Sequence, residues 1–282
     1  MTSPEPLSLW VGPLGRLRAL PVLPIRGSHP AGHDRIGAVH TSLSGTITVD
    51  VLAHRRSWSV DWTCLTAAEW GYLEAWWLGL GRDGPYRIVD PRRANRLTRD
   101  GSSGGSYSHG VTAHTVTAGT RSYVPVTDWP ADVELDGAVS WVVPAAGATL
   151  RIDDALRVPL IPGEQVTLAV LLADSGSAQV GAQIYDAAGV SAGTSLATAG
   201  TSTGWAWRTH TFTPAAGQVA ASLAVVAAAG ARTVRVGPAQ AEAGAASTPW
   251  TPGSGCPLVV LTEFAASYPL GLLDASIAIR EV

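Results

Sequence analysis

Asp153, Asp154, Asp174, Asp186 and Glu242 are the side chains in this sequence best suited to acid–base work. Glycoside hydrolysis is the reaction that would use two of them, held about 5–10 Å apart. Most stand beside Gly, Ser or Ala in expected turns, where a carboxylate caps backbone amides instead. No serine elbow, His-Glu metal motif or phosphate loop accompanies them, since SSGG at 102–105 has neither a Lys nor a following helix. His29 and His33 lie four apart, but Pro30 and Gly32 deny them a helix, so they are expected in a loop and not on a metal. Two cysteines, Cys64 and Cys256, are too few for a disulfide scaffold and are expected as buried thiols. A structural Ca²⁺ held by acidic side chains and carbonyls suits this composition, but no ligand set is legible and the metal stays unassigned. The chain is therefore expected to be no enzyme and to carry no cofactor.

The second chemical resource is indole, with 11 Trp in 282 residues. Residues 57–91, SWSVDWTCLTAAEWGYLEAWWLGLGRDGPYRIVDP, hold many of them. Trp58, Val60, Trp62 and Cys64 alternate with Ser57, Ser59, Asp61 and Thr63, which predicts a half-buried strand. Thr66 and Glu69 then form a capping box that opens a helix with Trp70, Leu73 and Trp77 on one face, ended by Gly79 and Gly81. Residues 85–89 read as a second strand before Asp90-Pro91. A Trp-rich helix this short holds only by packing on a sheet.

Composition points to β structure, with 31 Gly, 19 Pro, 1 Met and many short runs of Val, Thr and Ser. All 19 basic residues are Arg, and the net charge of −3 gives no global reason to expect binding to nucleic acid or an anionic membrane. No apolar run reaches a membrane span and the N-terminus lacks a signal-peptide layout, so assembly in a cytoplasm with no membrane partner is expected.

In chain order, the Pro- and Leu-rich start is expected to stay extended, with Trp10, Leu17, Leu20 and Leu23 plugged into a sheet. Residues 26–37 read as a polar loop. Leu43, Gly45, Ile47, Val49 and Val51 alternate with polar partners, and His54-Arg55-Arg56 is expected to turn this strand into the Trp58 strand as a long hairpin. After Pro91 the texture changes to short β patterns separated by Gly, Pro and Asp. Candidate strands are 110–117, 138–143, 165–172, 179–185, 205–213, 221–226 and 233–236, which suggests a jelly-roll sandwich. The Ala-rich stretch 220–231 is read as a strand because of Val225-Val226 and Gly230. From Cys256 the texture reverts, and 273–282 alternates as a strand that completes the first sheet. The chain is thus divided into a discontinuous domain, 1–94 and 256–282, interrupted by an insertion, 95–255.

Two resemblances follow from these motifs. The hairpin, the WSVDW strand, the Trp- and Tyr-bearing helix, GPYRIVDP and the closing strand resemble the tail-tube-type β-barrel of phage distal tail and minor tail proteins. This resemblance implies a virion protein of the tail tip or baseplate, assembled in the host cytoplasm as a homo-oligomeric, hexameric ring. Its neighbours would be the tail tube protein, the baseplate hub and tape-measure proteins, with DNA only passing through the channel. Residues 1–38 are expected to cross onto a neighbouring subunit or tail protein. The second resemblance covers about 95–253. NRLT, Pro162-Gly163-Glu164, Trp205 before a strand ending in TFTP, and AQAEAGAASTPWTPG resemble carbohydrate-binding modules of families 4 and 9, although no aromatic-lined cleft can be assigned.

That second resemblance implies a host surface glycan as a ligand. A pyranose stacks its C–H face on an indole or phenol, so Trp205, Trp207, Tyr185, Trp129 and Tyr107 are the candidate contacts. Trp205 and Trp207 share one face by their spacing, with Arg208 on the other, while Trp141 and Trp250 are expected in the core or as a clasp. The expected fold class is mainly β: a tail-tube-like β-barrel or sandwich with one short helix, interrupted by an inserted jelly roll. The expected function is a distal tail protein between tube and baseplate whose jelly roll binds cell-wall polysaccharide. Another minor tail or receptor-binding component, or a bacterial polysaccharide-binding protein, are the alternatives.

Overall fold

The computed structural model describes residues 9–20, 31–42, 44–80, 86–90, 93–173, 176–268 and 273–282. His29, Leu23, Gly81, Asp174 and the start of the Pro-rich segment lie outside the described residues. The protein is mostly β, as expected, and its described chain divides into two compact units. One holds Trp10–Pro13, Arg18–Ile88 and Pro257–Val282, and the other holds Leu9, Leu14–Leu17 and Val89–Cys256. Among the described residues, no helix is long and apolar enough to cross a membrane.

The first unit is a seven-stranded sheet whose C-terminal strand, Leu273–Glu281, lies between Leu258–Ser267 and Ile47–Leu65. Trp58, Val60 and Trp62 form its buried row, as their alternation predicts, and burying each indole contributes roughly 2–3 kcal/mol. Two local expectations are corrected. Residues 31–37 are not a loop but part of the strand Ala31–Thr41, and His54-Arg55-Arg56 is not a turn but lies within the 19-residue strand Ile47–Leu65. The hairpin turn is at Ser42–Thr46, where the Ser42 amide donates to the Thr46 carbonyl at 2.9 Å and Gly45 takes φ 81°. Arg56 continues the strand because its backbone N–H and Nε both donate to Glu281, at 3.0 and 3.1 Å, and its guanidinium lies over Trp58.

Cys64 is also corrected, from buried to exposed. Between the pairs Trp62↔Ala275 and Leu65↔Leu273, two residues, Thr63 and Cys64, face one, Asp274, and Cys64 absorbs the extra residue at φ 59°. The bulge turns Cys64 outward, buries Leu65, and is pinned by the Cys64 amide donating to Asp274 at 3.0 Å. Cys256 is buried as expected, and among the described residues neither cysteine forms a disulfide.

The helix Ala67–Trp77 opens with the expected capping box, the Thr66 amide donating to Glu69 at 2.9 Å and the Glu69 amide to Thr66 at 3.3 Å. Its buried side chains are Trp70, Leu73 and Trp76, in place of the expected Trp77. Tyr86 on the returning strand meets the helix end edge-on to Trp76 at 5.4 Å, while Trp77 lies over Phe264 and stays 41% exposed. In the N-terminal segment, Trp10–Gly12 pairs with Arg18–Ala19, and Leu20 is buried.

The second unit is an open sandwich. One sheet has five strands, in the order Ala206–Phe212, Val166–Ala173, Arg232–Ala243, Gly137–Val143, Thr120–Pro125. The other has seven, centred on Gly176–Tyr185 and Ala220–Ala227. Val166, Leu168, Val170 and Leu172 from the first sheet and Val180, Ile184, Leu223 and Val225 from the second fill one core, together with Trp141. The Ala-rich stretch is a strand, as read: its small side chains pair along Gly176–Tyr185 from Ala178↔Ala227 to Tyr185↔Ala220. A second short helix, Arg99–Ser102, was not expected in the turn-rich 92–110 region. Thr98 caps it, accepting from the Gly101 amide at 3.0 Å.

Candidate functional site

The outer face of the five-stranded sheet gathers Trp129, Trp205, Trp207 and Trp250. Because the Val166–Ala173 strand turns every second residue into the core, Thr167, Ala169 and Leu171 point the other way. Register places Trp207 opposite Leu171, Thr209 and Gln240 opposite Ala169, and Thr211 and Glu242 opposite Thr167. Trp205 immediately precedes this strand and lies on the same face, as its spacing from Trp207 predicts.

Trp129 comes to this face from a loop. Its ring lies 4.4 Å from that of Trp205, its Nε1 donates to the Leu135 carbonyl at 2.6 Å, and the two indoles cover Gly237. A Cβ on Gly237 would come within 2.8 Å of Trp129, so only glycine admits the stack. The bulge between Val236 and Ala239, opposite Val170 and Leu172, sets this position. Arg235 lies 4.9 Å from the Trp205 ring centre and pairs with Asp128 at 3.0 Å, which holds the Asp128 carboxyl below its ordinary pKa. Trp129 and Trp205 are therefore largely occupied with each other.

Trp207 and Trp250 remain as open walls. With Asp132, Gln240, Thr248 and Pro249 they line a hollow of about 300 Å³. Its far wall is the segment 247–250, which Gln240 and Glu242, each 1% exposed, hold in place. Glu242 accepts from Gln240 at 2.7 Å, from the Thr248 amide at 2.7 Å and from the Thr248 hydroxyl at 2.8 Å, while Gln240 accepts from the Thr251 amide at 3.0 Å. Trp250 Nε1 donates to the Ser102 carbonyl at 3.0 Å, so the indole is a clasp whose ring also faces the hollow. Sequence reasoning read Trp250 only as core or clasp and gave no signal for Asp132.

The other two candidate residues lie elsewhere. Tyr107 is 54% exposed, receives Arg99 Nη1 on its hydroxyl at 3.3 Å, and lines a second hollow with Glu134, Asp136 and the far side of Trp250. Tyr185 is buried in the opposite sheet, under Arg157 at 3.6 Å, with its hydroxyl donating to Asp154. Burial works against the Asp154 carboxylate, but Tyr185 and Arg151 outweigh it and its pKa lies below the ordinary range. Trp141 is in the core, donating to the Ala118 carbonyl at 3.1 Å.

The described candidate acids are likewise engaged. Asp153 accepts from the Thr98 amide and hydroxyl at 2.6 and 2.7 Å, and Asp186 accepts from the Ala188 and Val190 amides at 2.9 and 2.8 Å. Among the described residues no group of three metal-ligating side chains occurs.

No family model and no curated protein matches the sequence. Among solved structures, the chain is similar to the enzymatically active domain of tailspike protein 4 of bacteriophage CBA120, with 14% identity and a TM-score of 0.40, over 53% of this chain and 21% of that one. It is similar to the C-terminal family 22 carbohydrate-binding module of Clostridium thermocellum Xyn10B, with 13% identity and a TM-score of 0.36, over 49% and 89%. A third likeness is to TmCBM61 in complex with β-1,4-galactotriose, with 14% identity and a TM-score of 0.36, over 54% and 100%. The chain spans about a fifth of the tailspike domain and about a quarter, 26%, of an arabinofuranosidase that it also matches. The candidate face stands on its own geometry.

Proposed function

We propose that this protein is a non-enzymatic phage tail component whose sandwich unit holds polysaccharide on the Trp207/Trp250 face. The observation that carries the binding half is the hollow itself: two indole walls for the C–H faces of sugar rings, with the Asp132 carboxylate and the Ser247 hydroxyl in the same lining. The engagement of Asp153, Asp154, Asp186 and Glu242 in backbone and side-chain hydrogen bonds supports a binding role over a hydrolytic one. A single shallow site of this kind is expected near millimolar, about −4 kcal/mol. Trp207→Ala in the full chain should weaken retention on host wall polysaccharide about tenfold, through loss of a stacking platform, with only a small change in Tm. Loss of fold in this variant with no polysaccharide retained by the parent chain would remove the binding half.

In the finer reading the protein is a distal tail protein, a hexameric ring between tail tube and baseplate, contacting the tube protein, hub and tape-measure protein. Residues 95–255 are then an outward insertion in a ring-forming domain of 1–94 and 256–282. The resemblance of residues 42–90 and the C-terminal strands to the tail-tube type supports this assignment. Repetition of the sugar site around a ring would raise avidity by roughly 10²–10⁴. The same insertion as a decoration without a ligand is the outcome in which the ring forms and nothing is retained.

A further inference from the structure

We infer that the hollow prefers a glycan bearing free amino groups, a deacetylated hexosamine polymer, over neutral or N-acetylated chains; this rests on the sugar-binding reading above. Among the described residues, Asp132 is the one charged side chain lining the hollow, and no Arg or His shares the lining. A second carboxylate, that of Glu242, lies behind the wall and accepts from the lining Gln240 at 2.7 Å. Both are acidic. The guanidinium of Arg235, on the same sheet, is turned to Asp128 and to the Trp205 ring.

A sugar ring seated between Trp207 and Trp250 presents its substituents to the hollow's rim. An ammonium there gains twice, from the negative faces of the two indoles and from the Asp132 carboxylate. An N-acetyl group gains neither and adds bulk in a hollow of about 300 Å³. The Ser247 hydroxyl in the lining suits a ring hydroxyl and does not discriminate between the two chains.

The test is calorimetric titration of the full chain with a β-1,4-linked glucosamine hexasaccharide, its fully N-acetylated counterpart and cellohexaose, at low and high salt. The amino form should bind roughly tenfold tighter than either other chain, with the advantage shrinking as salt screens the ion pair. Asp132→Asn, a change on an exposed loop, should bring the ratio of amino to N-acetyl affinities to within about twofold of one. Equal affinities in the parent chain, or a preference that survives Asp132→Asn, would overturn the inference while leaving the sugar site in place. Binding of none of the three would remove the sugar-binding reading together with it.

Discussion

At the scale of single residues, tryptophan shows how one side-chain type divides between roles according to what surrounds it. Trp141 is core, Trp129 and Trp205 are spent on each other over Gly237, and Trp207 and Trp250 keep a ring face open. His114 makes a different point. It is fully buried beside Ile152 in register, neither ring nitrogen has a hydrogen-bond partner among the described residues, and burial holds its pKa down to about 4. Asp100 pulls that value upward and Arg121 downward, and neither offsets the burial. The folded protein resists taking up this proton whereas the unfolded chain accepts it near pH 6.5, so stability is intact above pH 6.5 and falls as pH drops towards 4. The expected loss over that window is about 3 kcal/mol. Urea midpoints measured at pH 7 and pH 4.5 should differ by correspondingly less in His114→Leu, and an unchanged difference would show that other groups set the acid limit.

Among the elements, the C-terminal strand carries the most consequence. Leu273–Glu281 is paired on both sides, so the sheet of the first unit is split in two without it. Glu281 also accepts two hydrogen bonds from Arg56, a residue 225 positions earlier and 1% exposed. Hydrogen bonds to charged groups contribute roughly 1.5–3 kcal/mol, so Glu281→Ala should destabilise the seven-stranded unit by about 2 kcal/mol. Chemical denaturation followed by Trp fluorescence would measure it, since Trp58 packs beneath the Arg56 guanidinium. A shift of less than about 0.5 kcal/mol would mean that the remaining contacts of Arg56 suffice.

The whole-molecule prediction is the ring. Closed rings require heterologous contacts that repeat around an axis. Negative-stain images of the purified chain should show rings with a central hole, six subunits around, and sedimentation should show a matching mass. A protein that stays monomeric at high concentration, both alone and mixed with a tail tube protein, would leave the distal tail assignment without support. Retention on wall polysaccharide is scored independently, because one monomer carries a complete Trp207/Trp250 hollow.

By itself the sequence determined whatever depends on near neighbours. Alternation at Trp58, Val60 and Trp62 set a strand and its buried face, the Thr66/Glu69 pair set the helix start, and Val225-Val226 with Gly230 marked the Ala-rich stretch as a strand. Trp205, just before a strand, and Trp207, inside it, share a side as their two-residue spacing predicts. Only the tertiary structure decided features whose causes lie far along the chain. His54-Arg55-Arg56 looks like a turn until Glu281 arrives to satisfy Arg56, and Cys64 looks buried until the partner strand proves one residue shorter. Trp250 becomes a wall because Ser102 holds its indole N–H and Glu242 holds Thr248, while Trp129 reaches Trp205 because a bulge brings bare glycine beneath both. Local pattern reports the period of an element and the face it buries. Which ring faces stay open is a property of the packed sheet, since it depends on loops whose positions no short stretch of sequence encodes.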